Sequence, residues 1–197
     1  MKYIKGSYMN HSKVYNIIFI GISLSITLGL VLALSIDKNL SNNIYSYFID
    51  HINNYNLNKL SNILYPIIIY FILFIISLTI IGSFMPFLTL FIENISIGLI
   101  LGISLRNNGL NGLLFSIIYF TITKLIYIIL LFYLTINIYK FIKKIINLIK
   151  TKETDNIYNL YSKIIYKTLF CIGLITIYNI INIFIAPKLI RFFIFLI

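Results

Sequence analysis

Acidic side chains are nearly missing from this chain: 197 residues carry 5 Asp and Glu against 16 Lys and Arg. Cysteine occurs once, at Cys171, and histidine twice, at His11 and His51. A single thiol closes no disulfide within the chain, and inside an apolar segment it reads as a small core residue. His11 and His51 flank the first apolar segment and fall in different compartments, so they cannot share a metal ion. There is no Gly-rich phosphate loop, HExxH helix or GxSxG elbow. With so few titratable groups the chain is not expected to be an enzyme, and no cofactor or metal is expected. Charged residues make up 11% of the chain, where soluble domains carry about a quarter. A water-soluble fold is excluded.

What is abundant is apolar. Hydrophobic residues account for 60% of the chain, and the mean hydropathy is +0.97. Asn16 to Ile36, Ile63 to Met85, Phe87 to Leu105, Leu113 to Ile136 and Thr168 to Ala186 each approach the ~20 residues that a helix needs to cross ~30 Å of hydrocarbon. Backbone groups in lipid must bond internally, and barrel strands would alternate apolar with polar residues. The uninterrupted runs therefore predict an all-α polytopic membrane bundle of about five helices, forming a single domain over residues 1–197. The first run is too long for a signal peptide, and Leu32-Ala33-Leu34-Ser35-Ile36 offers no small-x-small cleavage site.

Basic residues near helix ends stay cytoplasmic, and their placement predicts an orientation. Lys2, Lys5 and Lys13 precede the first run. Lys140, Lys143, Lys144, Lys150, Lys152, Lys163 and Lys167 cluster at 137–167, against Glu153 and Asp155. The segment 37–62 is electrically balanced, the turn from Gly82 to Pro86 is uncharged, and the link from Arg106 to Gly112 holds only Arg106. This places the N-terminus and 137–167 inside, and 37–62, 106–112 and Pro187 to Ile197 outside. The net charge of +11 is then an orienting charge that attracts anionic lipid, and no nucleic-acid partner is expected.

Outside the five runs, Ile138, Phe141, Ile142, Ile145 and Ile149 form one stripe of a helix whose other faces carry Lys140, Lys143, Lys144 and Lys150. That suits either an amphipathic helix in the headgroup layer or a cytoplasmic continuation of the fourth helix packed on protein. Thr151 to Asp155 predicts a turn. The 37–62 segment is too long and aromatic for bare coil, so an amphipathic helix is expected from about Ser41 to Ile52. Tyr45, Tyr47 and Phe48 could dock an outer partner; the alternative is a helix that covers the bundle.

Two ionisable residues lie within apolar runs, Glu93 and Lys124. Intramembrane charge is costly and marks an ion path, a partner site or a structural pair. Antiparallel neighbouring helices would bring these two together. Gly98-Leu99-Ile100-Leu101-Gly102 is a small-xxx-small face that lets backbones approach, within the chain or, less readily, between two copies in a homo-oligomer.

The order of these features resembles the stage II sporulation protein M family, over nearly the whole chain. Leu28-Gly29-Leu30-Val31-Leu32-Ala33 takes the place of that family's early Gly-containing helix, with the outer segment to Asn62 following it. Glu93 then precedes the Gly98 and Gly102 face, and Gly109-Leu110-Asn111-Gly112 takes the place of a Gly-x-x-Gly turn. The chain departs from the family at Ile122-Thr123-Lys124, where Pro-Gln-Asn is common, and at Asn182, where an acid commonly stands five positions before Pro187. The resemblance implies a non-enzymatic scaffold in endospore formation, holding wall-degrading partners that resemble stage II sporulation proteins D and P during engulfment. The competing reading is a small permease, or the membrane subunit of one, using Glu93, Lys124, Asn179 and Asn182 as a polar path.

Overall fold

The computed structural model describes residues 5–53, 59–79, 82–151 and 157–196. In chain order these form α1 (Lys5–Ser35), α2 (Lys38–Asn53), α3 (Lys59–Ser77), a one-turn 3-10 helix (Gly82–Phe84), α4 (Met85–Thr123), α5 (Leu125–Thr151) and α6 (Ile157–Leu196). The described residues contain no strand. Helices 1, 4, 5 and 6 are long and apolar enough to cross a membrane, and Leu64–Ser77 of α3 is a shorter apolar stretch. The protein is an all-α membrane bundle.

Two breaks decide the path of the chain. At Gly109 the backbone takes φ 60° and ψ −145°, a conformation that costs glycine little and a residue with a Cβ much more. α4 therefore folds back on itself, as a first limb (residues 85–108) and a returning limb (110–123). Ser116 Oγ donates to Ser104 Oγ at 2.7 Å, although a straight helix would hold these residues roughly 18 Å apart. Pro86 sits in the first turn of α4, where its missing N–H removes no intrahelical bond.

The second break is at Lys124, between α4 and α5. The Lys124 amide still donates to the Phe120 carbonyl at 2.8 Å, and the Lys124 carbonyl accepts from Ile128 at 3.0 Å. The returning limb and α5 thus continue as one kinked rod. The sequence predicts separate spans at 63–85, 87–105, 113–136 and 168–186; their boundaries shift because helices extend past their apolar runs. α1 begins at Lys5, before Asn16. α3 ends at Ser77 and Met85 already belongs to α4, while α6 runs through Pro187. The turn expected at Thr151 to Asp155 falls largely on residues 152–156, which lie outside the described residues, as do Lys2 and Ile197.

α1 and the first limb of α4 run parallel in the most extensive helix contact of the bundle. Lipid tails are as apolar as the helices, so association rests on close packing. A Cβ on Gly29 would collide with the Ile95 carbonyl and the Leu99 amide, and one on Gly98 with the Ile26 carbonyl. One turn on, a Cβ on Gly102 would lie 2.5 Å from that of Ala33. α6 runs antiparallel to the α4–α5 rod, and α3 completes the core with Tyr70, Leu73 and Phe74 against Leu130, Leu131, Cys171 and Ile175. Cys171 is buried there, and the Tyr70 hydroxyl donates to the Leu130 carbonyl at 3.4 Å.

The basic stripe resolves in favour of protein packing. α5 continues unbroken to Thr151, and Ile138, Phe141 and Ile142 are buried in the core. Phe141 meets Tyr161 of α6 edge to face at 4.9 Å. From the level of Arg106 to Lys140 the rod rises roughly 43 Å at helical pitch, close to the ~40–45 Å of a bilayer with its headgroups. Between these levels Ile17, Phe19, Leu34, Phe71, Ile92, Phe170 and Phe184 stand exposed, a belt suited to lipid.

Candidate functional site

Glu93 and Lys124 lie at nearly equal distances along the chain from Gly109, so the hairpin places them opposite one another. Lys124 Nζ donates to Glu93 Oε2 at 2.7 Å, with 39% and 21% of the two side chains accessible. A lone charge at this depth would be expensive in lipid, and pairing removes most of that cost. The pair is only part-buried, so its strength lies between that of a surface bridge and that of a sealed one.

Lys124 is also where the backbone leaves helical geometry, at φ −122° and ψ −20°. Thr121 Oγ1 donates to the Ile117 carbonyl at 2.8 Å and Thr123 Oγ1 to the Tyr119 carbonyl at 2.7 Å, a back-bonding pattern that bends helices. The last carbonyls of a helix lack intrahelical partners. One of them, at Ile122, accepts from the Tyr178 hydroxyl of α6. Asn182, one turn further along α6, is buried, as are Asn179 and Asn94. Asn94 donates to the Leu90 carbonyl at 2.7 Å.

α2 closes the site from the side. Its numbering rises together with that of the returning limb, so it descends along that limb. Asn108 Nδ2 donates to the Tyr45 hydroxyl at 2.7 Å. Phe48 then packs on Phe115, Tyr119 and Phe120, with its ring 5.2 Å from that of Tyr119. Further along, Tyr119 Oη and His51 Nδ1 lie 3.3 Å apart. Burial, and then the nearby Lys124 charge, hold the His51 imidazole below its ordinary pKa, favouring the neutral ring.

These positions separate the residues expected to dock a partner. Phe48 is 7% exposed and belongs to an aromatic core with Ile52, Phe115 and Tyr119, so it is an anchor of α2 and not a docking residue. The reason is the helical period: Phe48, Ile52 and Tyr45 share the face turned to α4. Tyr45 is half-buried, while Tyr47 is 77% exposed. Of the turn glycines, Gly109 makes the reversal and Gly112 lets the returning limb pass against the Ser104 carbonyl.

Sequence reasoning missed Tyr119, Tyr178, Asn108 and the break at Lys124. The signal for the break was present, since Thr121-Ile122-Thr123-Lys124 puts two back-bonding hydroxyls before a cation in the middle of an apolar run. Tyr178 carried no signal, because its role depends on which helix α6 lies against. Comparison of the chain with known protein families, with characterised proteins and with solved structures yields no match.

Proposed function

We propose that the protein is a non-enzymatic membrane scaffold acting in endospore formation, with the outer part of α2, at headgroup depth, as the surface that meets a partner on the extracytoplasmic side. The observation that carries this reading is the two-sidedness of α2. One face is fastened to α4 by Tyr45, Phe48 and Ile52. The other presents Leu40 and Tyr47 among Asn42, Asn43, Ser46 and Asp50, all exposed. An aromatic held on a rigid helix and ringed by polar groups is suited to anchor an interface. The resemblance to the stage II sporulation protein M family supplies the partner class, peptidoglycan hydrolases resembling stage II sporulation proteins D and P. In this reading the Lys140 end lies in the cytoplasm and the Gly109 end outside. The closed Glu93–Lys124 pair holds the hairpin together.

Crosslinked affinity isolation from sporulating cells tests the proposal. Leu40→Ala with Tyr47→Ala is expected to keep normal membrane abundance and lose hydrolase co-isolation and engulfment. Normal co-isolation and engulfment in that variant would overturn it. The permease reading draws on one observation, the broken helix beside an ion pair, a feature that transporters use to expose backbone carbonyls. It moves ahead if Lys124→Met abolishes function at full abundance while the α2 variant works.

A further inference from the structure

A groove at the lysine-rich end stands apart from the Glu93 site. It has a volume of about 700 Å³, within the range of small-molecule sites. Ile17 of α1, Phe84 of the 3-10 turn, Phe87 of α4, and Ile142 and Ile146 of α5 give it apolar walls. Ile17 and Phe84 are also among the exposed apolar residues, so the groove opens onto the belt that faces acyl chains.

Lys143 is the charged residue on the lining, and it is exposed. Its neighbours are engaged differently. Lys140 Nζ donates to the Tyr15 hydroxyl at 3.3 Å and lies 5.4 Å above that ring, and Lys167 donates to Asn137 Oδ1 at 3.3 Å. Among the described residues the carboxylates are Asp37, Asp50 and Glu93, on α2, at its start, or at the paired site, and none of these three is at this end of the bundle; Glu153 and Asp155 lie outside the described residues. Lys143 lies about one turn past Lys140, at headgroup depth, whereas Phe87 and Ile17 lie within the apolar span. The groove thus changes from apolar to cationic in the same order, along the membrane normal, as an anionic lipid changes from chain to phosphate.

We propose that this groove holds an acyl chain of one anionic phospholipid, with its phosphate against Lys143. The proposal depends on the membrane position of the bundle and is independent of the scaffold reading. The bilayer supplies such a molecule at high local concentration, and the lysine selects an anionic headgroup over a zwitterionic one. A second copy of the chain would instead bring its own lysines toward Lys143, a like-charge contact.

The test uses the full chain in nanodiscs containing a phosphatidylglycerol with a photoactivatable acyl chain, followed by peptide mapping. Crosslinks are expected on the α1 and α5 peptides that hold Ile17 and Ile142, falling severalfold when the probe is a phosphatidylcholine. Lys143→Gln is expected to lower the yield roughly fivefold, as one lysine at an anionic surface does. Lys144→Gln, beside it but off the lining, should lower it by no more than about twofold. Ile17→Trp fills the groove from a lipid-facing position and should remove the crosslink without lowering the thermal midpoint. Equal losses for Lys143→Gln and Lys144→Gln, equal yields from the two headgroups, or an unchanged yield in Ile17→Trp would each overturn the proposal. Crosslinks joining two copies in place of lipid would overturn it as well.

Discussion

At the Gly109 end of the bundle, Tyr45 meets Asn108, Phe48 packs on Tyr119 and Arg106 donates to the Ile36 carbonyl, while Ser41 Oγ and Asn107 Nδ2 are buried without a hydrogen-bond partner among the described residues. At the Lys140 end, Lys143 and Lys144 stand exposed beside an apolar groove. Both ends use an amphipathic helix whose apolar face is covered, that of α2 by α4 and that of α5 by the core, and they differ in what lies beside that face. The difference follows from where glycine falls. Gly29, Gly98 and Gly102 let α1 and α4 touch backbone to backbone on the Gly109 side, whereas toward the other end the Phe87 ring stands between α4 and Gly21 of α1. Close packing leaves no room for a ligand, and a groove lined by an exposed lysine invites one.

The largest effect is expected at the glycine crossing. Gly98→Val should destabilise the fold by about 3 kcal/mol or more, since the obstruction is backbone and cannot rotate away. Gly173→Val, where an added Cβ meets nothing, should leave the thermal midpoint in detergent nearly unchanged. Next in size, Phe48→Ala empties the aromatic core that fastens α2 and should cost about 3 kcal/mol, with α2 becoming protease-sensitive before the rest. Tyr47→Ala should change stability by less than about 0.5 kcal/mol, which separates anchor from surface on adjacent residues.

A smaller effect is expected at the ion pair. Glu93→Gln and Lys124→Met should each cost about 1–3 kcal/mol, because each leaves one charge at depth without its partner. The double variant should be more stable than the sum of the singles implies, and strictly additive losses in a double-mutant cycle would dissolve the coupling. The smallest effect is that of His51. Its pKa is lowered in the folded protein from an ordinary value of 6.5, so the unfolded chain binds the proton more readily. The docking of α2 is therefore at full strength above pH ~6.5 and weakens as the pH falls below it. Hydrogen exchange of α2 amides should rise on acidification, and His51→Gln should flatten that dependence.

Some of this was readable in advance. The scarcity of acid and the long apolar runs dictate helices in a membrane, because lipid leaves the backbone no other way to satisfy its hydrogen bonds. The glycine spacing marked a close crossing, and the positions of Glu93 and Lys124 around Gly109 made their meeting readable once a turn was placed there. Other features were ambiguous for a physical reason. The stripe of Ile138, Phe141 and Ile142 has the same period whether lipid or α6 covers it, so the pattern alone left both readings open. Phe48 and Tyr47 are adjacent aromatics with equal claims on a partner until the rotation of α2 against α4 turns one inward and the other out.

What the sequence determined by itself was the class of fold and the places where the chain can bend or approach itself, since these follow from local backbone chemistry. The tertiary structure alone decided that α1 and α4 run parallel, that Tyr178 reaches the Ile122 carbonyl, and that a groove with one lysine on its lining opens beside α5. Those features depend on contacts between residues far apart in the chain, and no local period encodes which helix becomes whose neighbour.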